Sequence, residues 1–568
     1  MVDVDIANSL WRYAVIALVT VVVWEGASIV YNLWLHPLRK FPGPVLQRAS
    51  TLPWAIRHGF GNQAFHTQRL HERYGPVVRL GPNHLSFTDP RAWREIMFAV
   101  GCQYGHRVGD EAKAAGNTGS GSSSSTGGSE MPKAATFVKN IRAIPTSIIN
   151  ADRDEHSRFR RALSHGFSDA AMRQQEPLIA RYVDLLLRRL HEICSKNDDD
   201  DNSSSSDDGK KGEGEGKKTK TKTKTPLNIE AWYNYATFDI VGELVFGHPF
   251  GCLERSDYHP WIAFIFGSVR AGAWTVALSY VGLGEVVQWV WSLGGLLAFA
   301  EMNRYIHEML ESRLRRGEEG GAGGARDDLF EGLVRRREEW NLSFEKLGSN
   351  AFILVLAGSE TTATTLSGAT YLLLTHPAAL AALAREVRSA FASAADITLG
   401  AVSGSGGGGG GGGAKLPYML AALNEALRLY PPVTSGLVRV VPAGGELIAG
   451  HYVPGGTFVE VQHWSINHSE DNWEDPWAFK PERFLAGDAA EAAKSGNRLE
   501  ALQPFNVGPR NCIGRNLAYA EMRLILARIV YDFDLELADD SKNWIERQRA
   551  FALWDRIPLN VYLTPVKR

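Results

Sequence analysis

The chain has 568 residues, 44% of them hydrophobic and 22% charged, and a formal net charge of -2 at pH 7. That is apolar material for one large core or several small ones, and the near-neutral balance gives no reason to expect nucleic acid as a partner. The four cysteines, Cys102, Cys194, Cys252 and Cys512, stand far apart without a CxxC pair, which argues against a disulfide framework or structural zinc site and fits a reducing compartment.

Tyr13 to Trp24 is an apolar, valine-rich run that resumes after Glu25 and Gly26 through Ile29, Val30, Leu33, Trp34 and Leu35. A bilayer takes about 20 such residues, although Glu25 is costly there. A cleaved signal peptide is the competing reading. Against it, Asp3 and Asp5 stand where such a peptide carries positive charge. Arg39-Lys40, before Phe41-Pro42-Gly43-Pro44, flank the run as basic residues do on the cytosolic side. The expectation is a retained anchor and hinge over residues 1–38, followed by a single domain over 39–568.

Four stretches lack the apolar residues to offset chain entropy and are expected to be surface loops: 114–129, 197–225, 317–325 and 404–413. The alternating Lys-Thr run from Lys217 to Lys224 invites a reading as a docking patch. A solvated tether balanced by Asp198 to Asp201 is the better one. Further on, Leu347 to Thr375 reads as a long apolar helix with one Gly-Ser-Glu-Thr-Thr interruption, ending before Pro377. Ala378 to Phe391 is amphipathic, Leu416 to Leu429 is a helix stopped by Pro431-Pro432, and Asn516 to Val530 is another. Gly436 to Val461 breaks into short β-like runs. The fold class expected is mainly α with a small β part.

Phe505-Asn506-Val507-Gly508-Pro509-Arg510-Asn511-Cys512-Ile513-Gly514 puts a cysteine at the mouth of a helix just after a Gly-Pro turn. Backbone N–H groups there can stabilise a thiolate. Gly514 leaves room beside the helix for a flat cofactor, Arg510 offers a fixed charge to a carboxylate, and Phe505 can shield the sulfur from water. A lone cysteine is usually a small buried hydrophobe, the reading kept for Cys102, Cys194 and Cys252. The pattern Phe-x-x-Gly-x-Arg-x-Cys-x-Gly overturns it for Cys512, since it arises by chance in on the order of one chain in ten thousand. Inside the long helix, the Thr361 hydroxyl can compete for the carbonyl of Ala357 and open the helix locally. Leu354, Gly358, Thr361 and Thr365 fall near one face. Glu425 and Arg428 lie one turn apart, a spacing that Glu155–Arg158 and Glu546–Arg549 share and that means little alone.

The cysteine segment resembles the haem-binding signature of cytochromes P450, and Ala357 to Thr362 resembles the oxygen-binding groove of that family. The resemblance implies haem b held by a Cys512 thiolate that favours O–O cleavage, and proton delivery for oxygen activation by Glu360 and Thr361. It implies a structural network of Glu425 and Arg428 with Arg483 from Pro481-Glu482-Arg483-Phe484. Arg510 and Arg439 match positions that bind haem propionates. His156 and Arg160 resemble the family's Trp-x-x-x-Arg helix with His in place of Trp. Tyr31 to Leu38 and Phe238 to Gly247 resemble fungal microsomal members. The function implied is a monooxygenase inserting one atom of O2 into a small apolar organic substrate, a terpenoid or polyketide of secondary metabolism. Electrons would come from NADPH-cytochrome P450 reductase, with the protein on the endoplasmic reticulum membrane and its catalytic domain cytosolic. A peroxide-rearranging haem-thiolate isomerase and a haem-based sensor are the rivals, and the Glu360–Thr361 pair argues against the first. Substrate contacts are expected among Val433 to Leu437, Cys102 to Arg107, Phe352, and Phe551 to Trp554.

Overall fold

The computed structural model describes residues 2–98, 130–139, 141–142, 144–203, 225–319, 328–403, 416–485 and 489–567. It is mainly α with a small β part. The principal helices are α1 (Val2–Val30), α2 (Arg153–Leu163), α3 (Asp169–Ser203), α4 (Ile229–Phe246), α5 (Pro260–Tyr280), α6 (Leu296–Glu319), α7 (Phe344–Thr375), α8 (Pro377–Ala390), α9 (Pro417–Leu429) and α10 (Arg515–Asp532).

α1 continues as a π-helical turn, Tyr31–Leu35, and stops at His36 because Pro37 cannot extend it. Its 29 residues span about 44 Å at 1.5 Å per residue, more than the roughly 30 Å of a bilayer's hydrocarbon. Trp11–Leu35 is apolar enough to cross, at a mean hydropathy of 2.0. Most of its described side chains, Trp11 and Trp24 among them, are exposed. Asn32 ties this segment to the body: its amide donates to the Ala49 carbonyl at 2.9 Å, and its own carbonyl accepts from Arg79 at 3.1 Å. α5 is a second helix of sufficient length and hydropathy, but it packs on Leu52–Gly59.

The core forms around α4 and α7. Every residue of α4 is buried, so it carries apolar groups on all sides rather than one stripe. α7 lies along it, with α9 and α10 packed behind. A four-stranded sheet pairs His84–Phe87 in parallel with Phe458–Val461 and adds Val77–Gly81 and Arg439–Val440 antiparallel at its edges. A three-stranded sheet sets Asn560–Pro565 between Leu227–Asn228 and Phe533–Leu537. This second sheet pins the end of the chain to the start of α4: Ile229 N–H donates to the Leu559 carbonyl at 2.9 Å, and Leu559 N–H to Asn228 Oδ1 at 3.0 Å.

Two expectations need correction. α7 runs unbroken through Gly358 to Thr362, because hydroxyls bonding to carbonyls four residues back share those oxygens with the backbone N–H groups instead of displacing them. Residues 197–203, expected in a loop, prolong α3, since extending a helix already nucleated by a buried stretch costs little. Likewise α6 runs to Glu319. The stretches 114–129 and 404–413, and the remainder of the other two apart from Thr225, lie outside the described residues, as does Cys102 to Arg107.

Candidate functional site

The loop before α10 is built to present Cys512. Asn506 takes a left-handed conformation with φ 58°, which its side chain supports by accepting from Val507 N–H at 2.7 Å. Gly508 has φ +81°, and any Cβ there would strike the Met97 carbonyl, so only glycine fits. Asn511 N–H returns to the Gly508 carbonyl at 3.1 Å and Cys512 N–H to the Phe505 carbonyl at 2.8 Å, closing the loop. The Phe505 ring packs on Tyr519 of α10 with centroids 5.1 Å apart.

Cys194 and Cys252 are buried, while the Cys512 thiol is accessible. Enclosure by protein pushes the Cys512 thiol up. The Gly514 N–H, Arg160 and Arg515 pull it down. A thiolate at that position calls for a cation on the sulfur, and a coordinating metal deprotonates a thiol outright. A Cβ on Gly514 would meet nothing nearer than Phe167 at 3.8 Å and Cys512 Sγ at 3.9 Å, leaving the space beside the sulfur open.

Beside this loop the fold gathers cations. Arg510 donates to Glu130 Oε1 at 2.6 Å and to the Ala151 carbonyl at 2.9 Å. Arg439, fully buried, donates to the Met131 carbonyl at 3.0 Å, and its Nε has no partner among the described residues. Burial first, then Arg510, hold Arg439 down at about 10, against the pull of Glu130. His156 is driven down to about 4 by burial and by Arg510, Lys133, Arg160 and Arg439. Lys133 is pushed down to about 7 by burial, Arg439 and Arg510. Among the described residues one carboxylate, Glu130, faces this set, and a buried guanidinium N–H without an acceptor is costly. The cluster suits a ligand with further carboxylates. Arg160, of the Trp-x-x-x-Arg-like helix, grips the cysteine loop, donating to the Asn511 carbonyl at 2.6 Å. Sequence reasoning missed Lys133 and Glu130, which follow directly on a low-complexity stretch and carry no motif.

On α7 the Thr361 hydroxyl donates to the Ala357 carbonyl at 2.7 Å, on an accessible stretch of an otherwise buried helix. Gly358 does not share that face: a Cβ there would meet Val241 of α4. Thr362 turns inward and donates to the Gly358 carbonyl at 3.0 Å. Glu360 also points into the protein, where Arg556 donates to Oε2 at 2.6 Å. Burial pushes the Glu360 carboxyl up, Arg556 opposes this, and Glu230 adds to it.

The structure brings Glu425, Arg428 and Arg483 together. Glu425 accepts from Arg428 at 2.7 and 2.8 Å, from Arg483 at 3.1 Å and from Lys480 N–H at 2.9 Å. Both guanidinium groups lie over the Trp473 ring, 5.2 and 6.0 Å from its centroid.

Of the expected substrate wall, Leu437 is accessible and Phe352 is half-buried against Trp261. Phe551 and Trp554 are buried. Trp554, in a short strand paired with Arg549–Ala550, stacks on Tyr430 at 4.2 Å and donates to the Pro431 carbonyl at 2.8 Å.

The family model described as Cytochrome P450 matches residues 126–558. The chain is 42% identical to cytochrome P450 monooxygenase tpeC of Talaromyces stipitatus, over 99% of this chain and 97% of that one. It is 38% identical to trichothecene C-15 hydroxylase of Fusarium sporotrichioides, over 98% and 99%, and 37% identical to averantin hydroxylase of Dothistroma septosporum, over 96% and 90%.

Proposed function

The chain belongs to the cytochrome P450 monooxygenase family, and from that membership we propose that it hydroxylates a small apolar secondary metabolite on haem b held by Cys512. The family implies a haem-thiolate cofactor, and the residues fit one. The observation that carries the reading is that, among the described residues, one thiol is accessible, beside a cation cluster in which one guanidinium N–H lacks an acceptor. Cys512 would hold the iron, while Arg439, Arg510, His156 and Lys133 would face the propionates, with Arg160 fixing the loop between. Bound there, the haem supplies dioxygen activation and transfer of one oxygen atom to the substrate.

The chain's own residues govern what surrounds that chemistry. The Gly514 N–H and the Arg160 charge stabilise the sulfur as thiolate. Thr361 holds water at the accessible face of α7, with its hydroxyl hydrogen fixed on the Ala357 carbonyl so that its lone pairs face outward. Glu360 is the nearest titratable group able to feed protons to that water. Leu437 and Phe352 exclude bulk water with apolar surface.

Electrons come from NADPH through NADPH-cytochrome P450 reductase, the second substrate is O2, and the organic substrate is a terpenoid or polyketide. The names of relatives that hydroxylate a trichothecene or averantin support hydroxylation at carbon. Residues 1–38 anchor the chain in the endoplasmic reticulum membrane, with residues 39–568 as the catalytic domain on the cytosolic face, an orientation supported by Arg39 and Lys40 at the end of the apolar helix. Exposed Phe60 and Trp274, packed edge-on at 5.3 Å, extend the apolar surface of the body.

The direct test is the carbon monoxide difference spectrum of reduced protein for each Cys→Ala variant. Cys512→Ala should lose the long-wavelength thiolate-type band while Cys102→Ala, Cys194→Ala and Cys252→Ala keep it. A thiolate-type band in Cys512→Ala would overturn the assignment.

A further inference from the structure

The inward side of α7 carries a charge cluster that no motif announces. Arg556 precedes the last strand, and its side chain is 5% exposed. Its Nη2 donates to Glu360 Oε2 at 2.6 Å and to Asn234 Oδ1 at 3.0 Å, and its Nη1 lies 3.2 Å from Glu230 Oε1. Asn234, wholly buried, donates to Glu230 Oε1 at 2.6 Å. The Phe266 ring of α5 lies 5.9 Å from the guanidinium. Tyr258, Tyr235 and Tyr430 are the other titratable groups facing the cluster. The Tyr430 hydroxyl is committed to Gln548 at 2.8 Å.

Two carboxylates share one guanidinium. With both ionised the cluster carries a negative charge that no described residue cancels, and an uncompensated buried charge is strongly unfavourable. One proton removes it, and a set coupled this closely takes that proton up as a unit rather than at a single residue. Glu360 is adjacent in the chain to Thr361, whose hydroxyl lies on the accessible face. Tyr258 is half-buried beside exposed Asp257, so the cluster reaches toward solvent at its far end.

We propose that Glu230 and Arg556 are positioning residues for Glu360, and that the three together store one proton for the oxygen-activating step. This rests on reading Glu360 and Thr361 as the proton-delivery pair. The proton leaves from Glu360 to water at the Thr361 hydroxyl and is replaced from solvent past Tyr258. No electron moves within the cluster.

The test uses the full-length chain in membranes with NADPH-cytochrome P450 reductase, following NADPH consumption and hydrogen peroxide release across pH in light and heavy water. Glu230→Gln keeps shape but removes the surplus carboxylate, leaving Glu360 ionised against Arg556. Consumption at neutral pH should fall on the order of tenfold, less than a full general acid contributes because Glu360 remains. The solvent isotope effect should rise, and activity should recover toward acid pH. Arg556→Lys, which keeps the charge, should retain most of the parental profile. Independently of turnover, the infrared difference between resting parent and Glu230→Gln should show the loss of one protonated-carboxyl band. An unchanged pH profile and isotope effect in Glu230→Gln, with no such band lost, overturns the proposal. Glu360→Gln tells the two readings apart. If it slows turnover while Glu230→Gln does not, this proposal alone falls. If neither variant changes the profile, the acid–threonine reading falls with it.

Discussion

Two of the buried ion clusters, one on α9 and one on α7, have charges that are mirror images. Glu425 with Arg428 and Arg483 has one negative and two positive groups. Arg556 with Glu230 and Glu360 has one positive and two negative. The first disposes of its surplus without a proton: Arg428 donates to the carbonyls of Asn467 at 2.8 Å, Pro476 at 2.6 Å and Ala478 at 3.0 Å, and Arg483 to that of Glu474 at 3.0 Å and to Asn497. A guanidinium cannot give up its proton in a protein, so its surplus charge is permanent and must be met by fixed dipoles. A surplus carboxylate can take a proton, so its charge is adjustable. The lesson is that the sign of the excess separates a static brace from a titratable store.

The largest effect expected is at the brace. Glu425→Ala strands two buried guanidinium groups and should cost about 3–5 kcal/mol, the usual result of breaking a buried pair. It should show as lost haem content and an earlier denaturant midpoint. Retention of full stability would mean the carbonyls alone suffice.

A further buried carboxyl sharpens the contrast because no cation among the described residues meets it. Both oxygens of Glu521 on α10 lack a partner among the described residues, and burial pushes this carboxyl well above its ordinary value. The unfolded chain releases that proton above about pH 4.3, whereas the folded chain keeps it. The native state therefore loses stability as pH rises above that point. Glu521→Gln removes the linkage, so its stability relative to the parent should grow from nothing near pH 4 to about 1–3 kcal/mol at neutral pH, the usual cost of an unsatisfied buried group. Unfolding curves at several pH values check this, and a constant offset would refute the sign.

At the store, Thr361→Ala should leave haem content and folding intact while product per NADPH drops on the order of tenfold, about 1.4 kcal/mol at the barrier. Hydrogen peroxide should make up the difference. Thr362→Ala, whose side chain turns inward, is the control. Full coupling in Thr361→Ala would remove the store's purpose.

The smallest effect belongs to neither cluster. Replacing residues 404–413 by a short Gly-Ser link should change stability by only about 0.6 kcal/mol for each halving of loop length. Loss of haem on shortening would show that this stretch contributes to the fold.

The sequence by itself determined the parts whose chemistry is written within a turn or two. The cysteine loop was legible because Phe505, Gly508, Arg510, Cys512 and Gly514 are fixed by local backbone geometry. α8, α9 and α10 were legible because Pro377, Pro431 and the apolar spacing mark their ends, and Thr361 because its hydroxyl bonds to its own helix. Arg483 was found only because its neighbours form a motif. Tertiary structure alone decided the rest. Arg556 lies 196 residues from Glu360 and 322 from Asn234, and nothing local to Trp554-Asp555-Arg556 encodes that meeting. The second sheet makes it, by pairing the last strand with the residues before α4. Trp554, expected in the pocket wall, is buried by its own short pairing with Ala550 and its stack on Tyr430. Lys133 and Glu130 join the cation cluster for a like reason, since the edge of the first sheet carries them to Arg439. A motif records what a few neighbouring atoms need, whereas long-range ion pairs depend on which strands meet, and that is settled by the burial of the whole core.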